Sequence, residues 1–436
     1  MTQRATFPMI LALLAITLAF ATTLLVQKNA APPMSYAAAY AGTMLALYLG
    51  VRLLLPHSDA VLIPIVTLLT GMGLVMIYRL TYEVEGAENL ATTQAAWILV
   101  GSGALLLTVL LFRDYQRLTN YKYLLALGGV ALVGSTIPFG HEINGAKLWL
   151  QLGPISLEPS EFARIPLVIF FAGYLADKRE VMAATSRSLL GLKIPPLKYL
   201  GPVVLVWAAS VGLLILEKDV GISLLFIAVS LAMLYMATGR ITYVVLGGLL
   251  FLTTFPVLYH LFSHVRVRIE SWLDPWSDPD GTGYQITQSI FNIADGGITG
   301  TGLGQGFSQA IPEVRTDFVF SAIAGELGLL GGAAVLLAFL VFIYRGMKIA
   351  LLADDQASKL LAGGLTVALA LQTLIIVGGV TKAIPLTGLG LPFVSYGGSS
   401  VVGNFILTGL LLVISERAGR RLTKEKGNKE DNHIVG

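Results

Sequence analysis

A chain of 436 residues with 55% hydrophobic and 13% charged side chains carries far less charge than the roughly 25% of soluble domains, which excludes an ordinary water-soluble enzyme. The net charge of +3 is too small to hold a nucleic acid. With no cysteine in the chain, disulfides, iron–sulfur clusters, thiolate metal sites and a cysteine nucleophile are excluded as well.

Apolar runs long enough to cross a hydrocarbon core of about 30 Å predict an all-α, polytopic helical membrane protein of about twelve spans. They lie near residues 7 to 27, 34 to 55, 60 to 78, 94 to 112, 121 to 139, 161 to 176, 197 to 216, 219 to 238, 241 to 263, 317 to 344, 358 to 380 and 399 to 416. Arg4 precedes the first run as in a signal peptide, but the long apolar stretch without a clear cleavage site reads as a retained helix. Placing the amino terminus in the cytoplasm puts 20 Lys and Arg inside and 9 outside, a bias that predicts both termini cytoplasmic. The tail from Glu416 to Gly436 is polar and without apolar periodicity, so it is expected to fray along the lipid surface.

Three segments then fall on the non-cytoplasmic side: Arg79 to Thr93, Gly140 to Ser160, and a 52-residue loop between spans 9 and 10, His264 to Arg315. A loop that long is functional or disordered. Trp272, Trp276, Tyr284, Phe291 and Phe307 argue for order, and Ile286, Ile290 and Ile293 recur at the spacing of a helix lying at the interface.

Within this loop, Asp274-Pro275 and Asp278-Pro279 read either as a chain of turns or as rigidly presented carboxylates beside an aromatic platform, suited to taking a proton from a hydroxyl. Gly300-Thr301-Gly302-Leu303-Gly304-Gln305-Gly306 resembles a nucleotide fingerprint only superficially, since no βαβ unit surrounds it. Its glycines suit sharp turns or a close backbone approach. Glu161 and Arg164, three apart at the mouth of the sixth span, share a helix face. They read either as an interfacial cap with Ser160 or as a pair facing a polar cavity. Lys218 and Asp219 carry the same two readings, and the five histidines show no metal-ligand spacing.

Taken in order, these motifs resemble the SEDS family of shape, elongation, division and sporulation proteins. The matching residues are Asn144-Gly145-Ala146-Lys147 with Trp149, Pro159-Ser160-Glu161, Asp278-Pro279 with Gly281, Gly283, Tyr284, Gln285, Gln288 and Ser289, then Gly302-Leu303-Gly304, Pro312-Glu313, Thr316-Asp317-Phe318, Glu326-Leu327-Gly328, and Leu391 to Ser400. The likeness runs from about residue 60 to 417 and is strongest to the RodA branch, in forms with two additional amino-terminal helices. It implies helices 1–59 added to a core at 60–416, with the 264–315 loop inside the core and a basic cytoplasmic tail at 417–436.

The resemblance further implies a peptidoglycan glycosyltransferase that polymerises lipid II at the outer face of the bacterial cytoplasmic membrane, for elongation and shape, beside a class B penicillin-binding protein. The family's catalytic aspartate falls on Asp278, and its acid and base at the membrane mouth fall on Glu161 and Arg164. The family often has Lys where Arg164 stands, Gln at Glu158 and His at Arg315. A guanidinium is a fork rather than a point charge, which weakens any proton-transfer role for Arg164. In such a reaction Asp278 would act as base on the acceptor 4-hydroxyl, and water-poor surroundings would strengthen it. Arg164, with Lys147, Arg266, Arg268 and Arg315, would stabilise the leaving diphosphate. A divalent cation, magnesium or manganese, is an aid that the sequence does not specify. The competing classes are a lipid II flippase or other multi-span transporter, and a scaffold. A transporter is expected to show mid-span charges and related halves, and the chain shows neither.

Overall fold

Backbone polar groups in hydrocarbon must bond within their own segment, and every expected span is helical. The computed structural model describes residues 5–26, 33–82, 90–143, 146–153, 155–184, 187–189, 192–194 and 197–434. Asn144 and Gly145, and the segment 83–89, lie outside the described residues. The helices are α1 (Thr6–Val26), α2 (Pro33–Leu54), α3 (Leu62–Tyr82), α4 (Leu90–Leu111), α5 (Gln116–Asn120), α6 (Lys122–Gly134), α7 (Thr136–Phe139), α8 (Pro159–Ala184), α9 (Leu197–Leu216), α10 (Val220–Thr238), α11 (Thr242–Leu261), α12 (Ser263–Leu273), α13 (Tyr284–Gly296), α14 (Val319–Glu326), α15 (Gly328–Leu352), α16 (Gln356–Val380) and α17 (Gly398–Ile434).

Among the described residues ten helices are long and apolar enough to cross a membrane. α8 and α9 take the sixth and seventh expected places. The apolar run of α8 is diluted by Glu161, Arg164, Asp177, Lys178, Arg179 and Glu180, yet it packs at the centre against α6, α10, α16 and α17. α3 is buried along almost its whole length because α1 and α2 lie over it and α4. A Cβ at Gly71 would stand 2.5 Å from Ile16, so glycine sets that close approach. α11 is the opposite case: of its residues only Tyr243 is buried, and its apolar surface suits lipid on nearly every side.

The structure departs from expectation at four places. The single span expected at 317 to 344 breaks between α14 and α15, where Gly328 adopts φ +67°. The tail does not fray: α17 runs 37 residues, about 55 Å at the usual rise and well beyond a hydrocarbon core. Its first charges are placed by partners. Glu416 accepts from the His57 backbone N–H at 2.6 Å and pairs with Arg420 at 2.5 Å, while Arg417 and Arg421 reach Asp354 at 3.4 and 2.9 Å. Short antiparallel strands also appear that apolar periodicity did not signal. β1 (Gly140–Ile143), β2 (Ala146–Leu152) and β3 (Ile155–Leu157) form a meander, and β4 (Arg187–Leu189) pairs with β5 (Leu192–Ile194). The expected interfacial helix is α13, but it does not lie free: Ile286, Ser289, Asn292 and Gly296 are buried and the helix packs on α14.

Candidate active site

At the end of the bundle opposite the tail, the meander, the α9–α10 turn, the long loop and the segment 381–397 converge. Glu158 N–H donates to Ser399 Oγ at 2.8 Å, Trp272 Nε1 to the Lys382 carbonyl at 3.1 Å, and Tyr396 N–H to the Arg315 carbonyl at 2.8 Å.

Asp278 sits where α12 gives way to α13. The Gly281 and Gly283 N–H groups donate to its carbonyl at 3.3 and 3.0 Å, and its Oδ2 accepts from Thr282 N–H and Oγ1 at 2.8 and 3.1 Å. Any Cβ at Gly281 would come 2.3 Å from Oδ2, and one at Gly283 would come 2.1 Å from the Pro275 carbonyl. The glycines are therefore what let the turn close under the carboxylate. The turn is thus observed, and the carboxylate is held within it. One oxygen is bound to the loop, while Oδ1 takes no hydrogen bond from the described residues and can accept one from a hydroxyl. Asp274 differs, being the residue after α12, with Oδ1 accepting from Trp276 N–H at 3.2 Å. Trp276 in turn leans on Phe291, ring centroids 5.6 Å apart. The expected water-poor surroundings are absent: Asp278 is exposed.

Glu161 and Arg164 are brought together at 3.1 Å with side chains only 7% and 6% exposed. Arg164 is more than a cap. Its Nη1 donates to Gln372 Oε1 at 2.6 Å on α16, and its Nη2 to Asn404 Oδ1 at 2.8 Å on α17. A buried guanidinium needs such a set, because removing one partner from a buried charge pair costs about 3–5 kcal/mol. Beside it, Arg164 borders a narrow, partly open crevice walled mainly by apolar residues of α8, α10 and α16, Phe171 and Phe226 among them.

Carboxylates gather nearby. Burial, then the charges of Glu161 and Asp219, hold the Glu158 carboxyl well above the usual range. Burial raises Asp219 to about 6, although the Ile222 N–H and Arg268 oppose it. Burial raises Glu217 to about 7 despite the hydrogen bond from Thr136, and the same loss of water raises Asp317 to about 6. Arg268 is the cation facing Asp219 and Asp317. Burial lowers its pKa, and its Nη1 donates to the carbonyls of Leu386, at 3.3 Å, and Thr387.

The other expected cations do not join this group. Arg266 is exposed, lies over the Tyr259 ring at 5.7 Å and donates to the His260 carbonyl. Arg315 donates to the Leu80 carbonyl at 3.1 Å. Lys147 is exposed on β2, with no ion pair among the described residues. Among the described residues no group of three or more His, Asp and Glu is placed to hold a metal ion. Sequence reasoning missed Gln372 and Asn404 as partners of Arg164. Their signal was present, since amides inside otherwise apolar spans mark interior polar contacts.

Residues 59–419 match the FtsW/RodA/SpoVE family, described as cell cycle protein. The chain is 42% identical over 434 residues to the peptidoglycan glycosyltransferase RodA of Mycobacterium tuberculosis (strain ATCC 25618 / H37Rv), covering 97% of this chain and 92% of that protein. It is 33% identical over 366 residues to stage V sporulation protein E of Bacillus subtilis (strain 168), covering 82% of this chain and 96% of that one. Among solved structures, a chain of a peptidoglycan synthase complex that coordinates polymerisation and crosslinking superposes with a TM-score of 0.66 at 26% identity, over 83% of this chain and 98% of that one. With its central helices, its long loop and its motifs in one order, the chain belongs to the FtsW/RodA/SpoVE family, the SEDS proteins.

Proposed function

We propose that the chain is a peptidoglycan glycosyltransferase that polymerises lipid II into glycan strands, with Asp278 as the general base. The observation that carries the assignment of the base is the half-committed carboxylate: Oδ2 fixed by Thr282, Oδ1 open. Whole-length identity of 42% to a protein named for that activity supports the substrate class. In this reading Oδ1 accepts the proton of the acceptor 4-hydroxyl as its oxygen attacks the anomeric carbon of the donor. The bond from that carbon to the lipid diphosphate breaks, and the diphosphate leaves. Because Asp278 is exposed, the exclusion of water has to come from the bound sugars. Arg164 and Arg268 are the cations best placed to meet negative charge, and the side chains beside Arg164 are apolar. Lys147, Arg266 and Arg315 are secondary candidates. Labelled lipid II given to the purified chain in liposomes should yield glycan polymer. Lipid translocation without polymer would point to a flippase, and neither product to a scaffold.

The partner proposed is a class B penicillin-binding protein that crosslinks the strands, as the likeness to a synthase complex suggests. The chain is proposed to lie in the bacterial cytoplasmic membrane with both termini inside. Helices 1–59 are added to a 60–416 core and the 264–315 loop faces outward. Single cysteines at Ser277 and Asn428, in a chain that has none, should then label from opposite sides of intact cells. Labelling of both from outside would overturn this topology, and labelling of Asn428→Cys alone from outside would reverse the placement of Asp278.

A further inference from the structure

A second buried ion pair lies outside the chemistry above. Arg79 in the last turn of α3 and Glu326, the last residue of α14, meet at 3.0 Å with side chains 1% and 0% exposed. Glu326 Oε2 also accepts from the Gly304 N–H at 2.8 Å, and its carbonyl from the Gly302 N–H at 2.9 Å. Arg79 Nη2 donates to the Gly306 carbonyl at 3.4 Å. The same segment is fastened to the α14–α15 break: Thr301 N–H donates to the Gly325 carbonyl, while Leu329 and Leu330 N–H donate to the carbonyls of Gly297 and Ile298, all within 3.1 Å. Gly300, Gly302 and Gly304 take φ values of +87°, +104° and +79°, and a Cβ at Gly300 would come 2.1 Å from the Glu326 carbonyl. The glycine-rich run is thus a cage closed around one ion pair.

What the cage holds is the far end of α13. This helix of 13 residues, about 20 Å long, starts one residue after Gly283 of the Asp-Pro turn and ends where the cage begins. Along its length it is fixed from the side. Ser289 Oγ donates to the Val380 carbonyl at 2.8 Å and Asn292 Nδ2 to the Ser321 carbonyl at 2.7 Å, while Asn292 Oδ1 accepts from Ser308 Oγ at 3.1 Å. A packed helix moves as a rod, so a shift at the cage appears at the turn that carries Asp278.

We propose that Arg79 and Glu326 are a positioning pair for the reaction: by closing the 297–306 cage they fix α13 and with it the setting of Asp278. This rests on the reading of Asp278 as base. Burial alone does not require charges here, because well-packed apolar side chains often stabilise as much as a buried ion pair. The pair adds direction, since one carboxylate must serve a guanidinium and a backbone N–H at once, which a single arrangement allows.

The test uses the purified full chain. Glu326→Gln leaves a buried guanidinium without its counter-charge, and Gly304→Ala strains the cage while leaving both charges in place. Spin labels at Ser277→Cys and Thr381→Cys report the separation of the Asp-Pro turn from the end of α16. The expected result for both variants is a broadened label distance and a kcat lowered about 10- to 100-fold with KM little changed. Arg79→Lys, which keeps the charge, should retain most activity. Asp278→Asn should abolish turnover with the label distance unchanged. A wild-type kcat in both Glu326→Gln and Gly304→Ala would overturn the proposal, as would a lowered kcat with an unaltered distance. If Asp278→Asn polymerises normally while Glu326→Gln still broadens and slows, the positioning role stands and the assignment of the base falls.

Discussion

Asp278→Asn should abolish glycan polymerisation while leaving expression, melting temperature and membrane insertion as they are. The amide keeps an oxygen to accept from Thr282 N–H and Oγ1, so the turn that now closes through Oδ2 survives. What is lost is the basic oxygen open to the acceptor hydroxyl. General-base catalysis contributes typically about 10²- to 10⁴-fold, so polymer formation from labelled lipid II should fall at least to the lower bound. Asp274→Asn is the control. Its Oδ1 already accepts from Trp276 N–H at 3.2 Å, and it serves the turn rather than the reaction, so activity should drop only modestly. Polymerisation that survives in Asp278→Asn and vanishes in Asp274→Asn would move the base to the first Asp-Pro pair. Survival in both would end the loop-carboxylate mechanism.

The spans, α13 and the Glu161–Arg164 pair were legible because each is a local pattern. Apolar length, isoleucines at helical spacing, and opposite charges three apart all declare themselves within one segment. The rest depends on contacts between distant segments. Gln372 and Asn404 stand 208 and 240 positions from Arg164, and nothing local says which buried charge an amide will meet. The tail looked frayed because its arginines lack local apolar support, yet Arg417 and Arg421 are anchored by Asp354 across a helix turn. The break at Gly328 was hidden in an apolar run, because its cause is the backbone of Gly297 and Ile298 laid against the end of α14. The Gly300–Gly306 run closes around the Arg79–Glu326 pair, an occupant that could not be named from either segment alone.

Arg164→Ala should be the second severe loss, and it should act on both fold and chemistry. It leaves the Glu161 carboxylate buried without its cation, along with Gln372 Oε1 and Asn404 Oδ1 without a donor. Breaking a buried pair in this way costs about 3–5 kcal/mol, enough to lower the melting temperature in detergent visibly. Arg164→Lys retains the charge at Glu161 and is expected to keep much of the activity, although an ammonium cannot reproduce the fork that reaches both amides. Stability and catalysis are separated by the double variant Glu161→Leu with Arg164→Leu. Removing both charges takes away the uncompensated carboxylate and should recover most of the melting temperature, but no cation then borders the crevice to meet the leaving diphosphate, so polymerisation of lipid II should stay low. A double variant that is stable and polymerises at the normal rate would make the pair a structural tie between α8, α16 and α17 and nothing more. One that is stable and inactive, beside an active Arg164→Lys, assigns the guanidinium to the reaction.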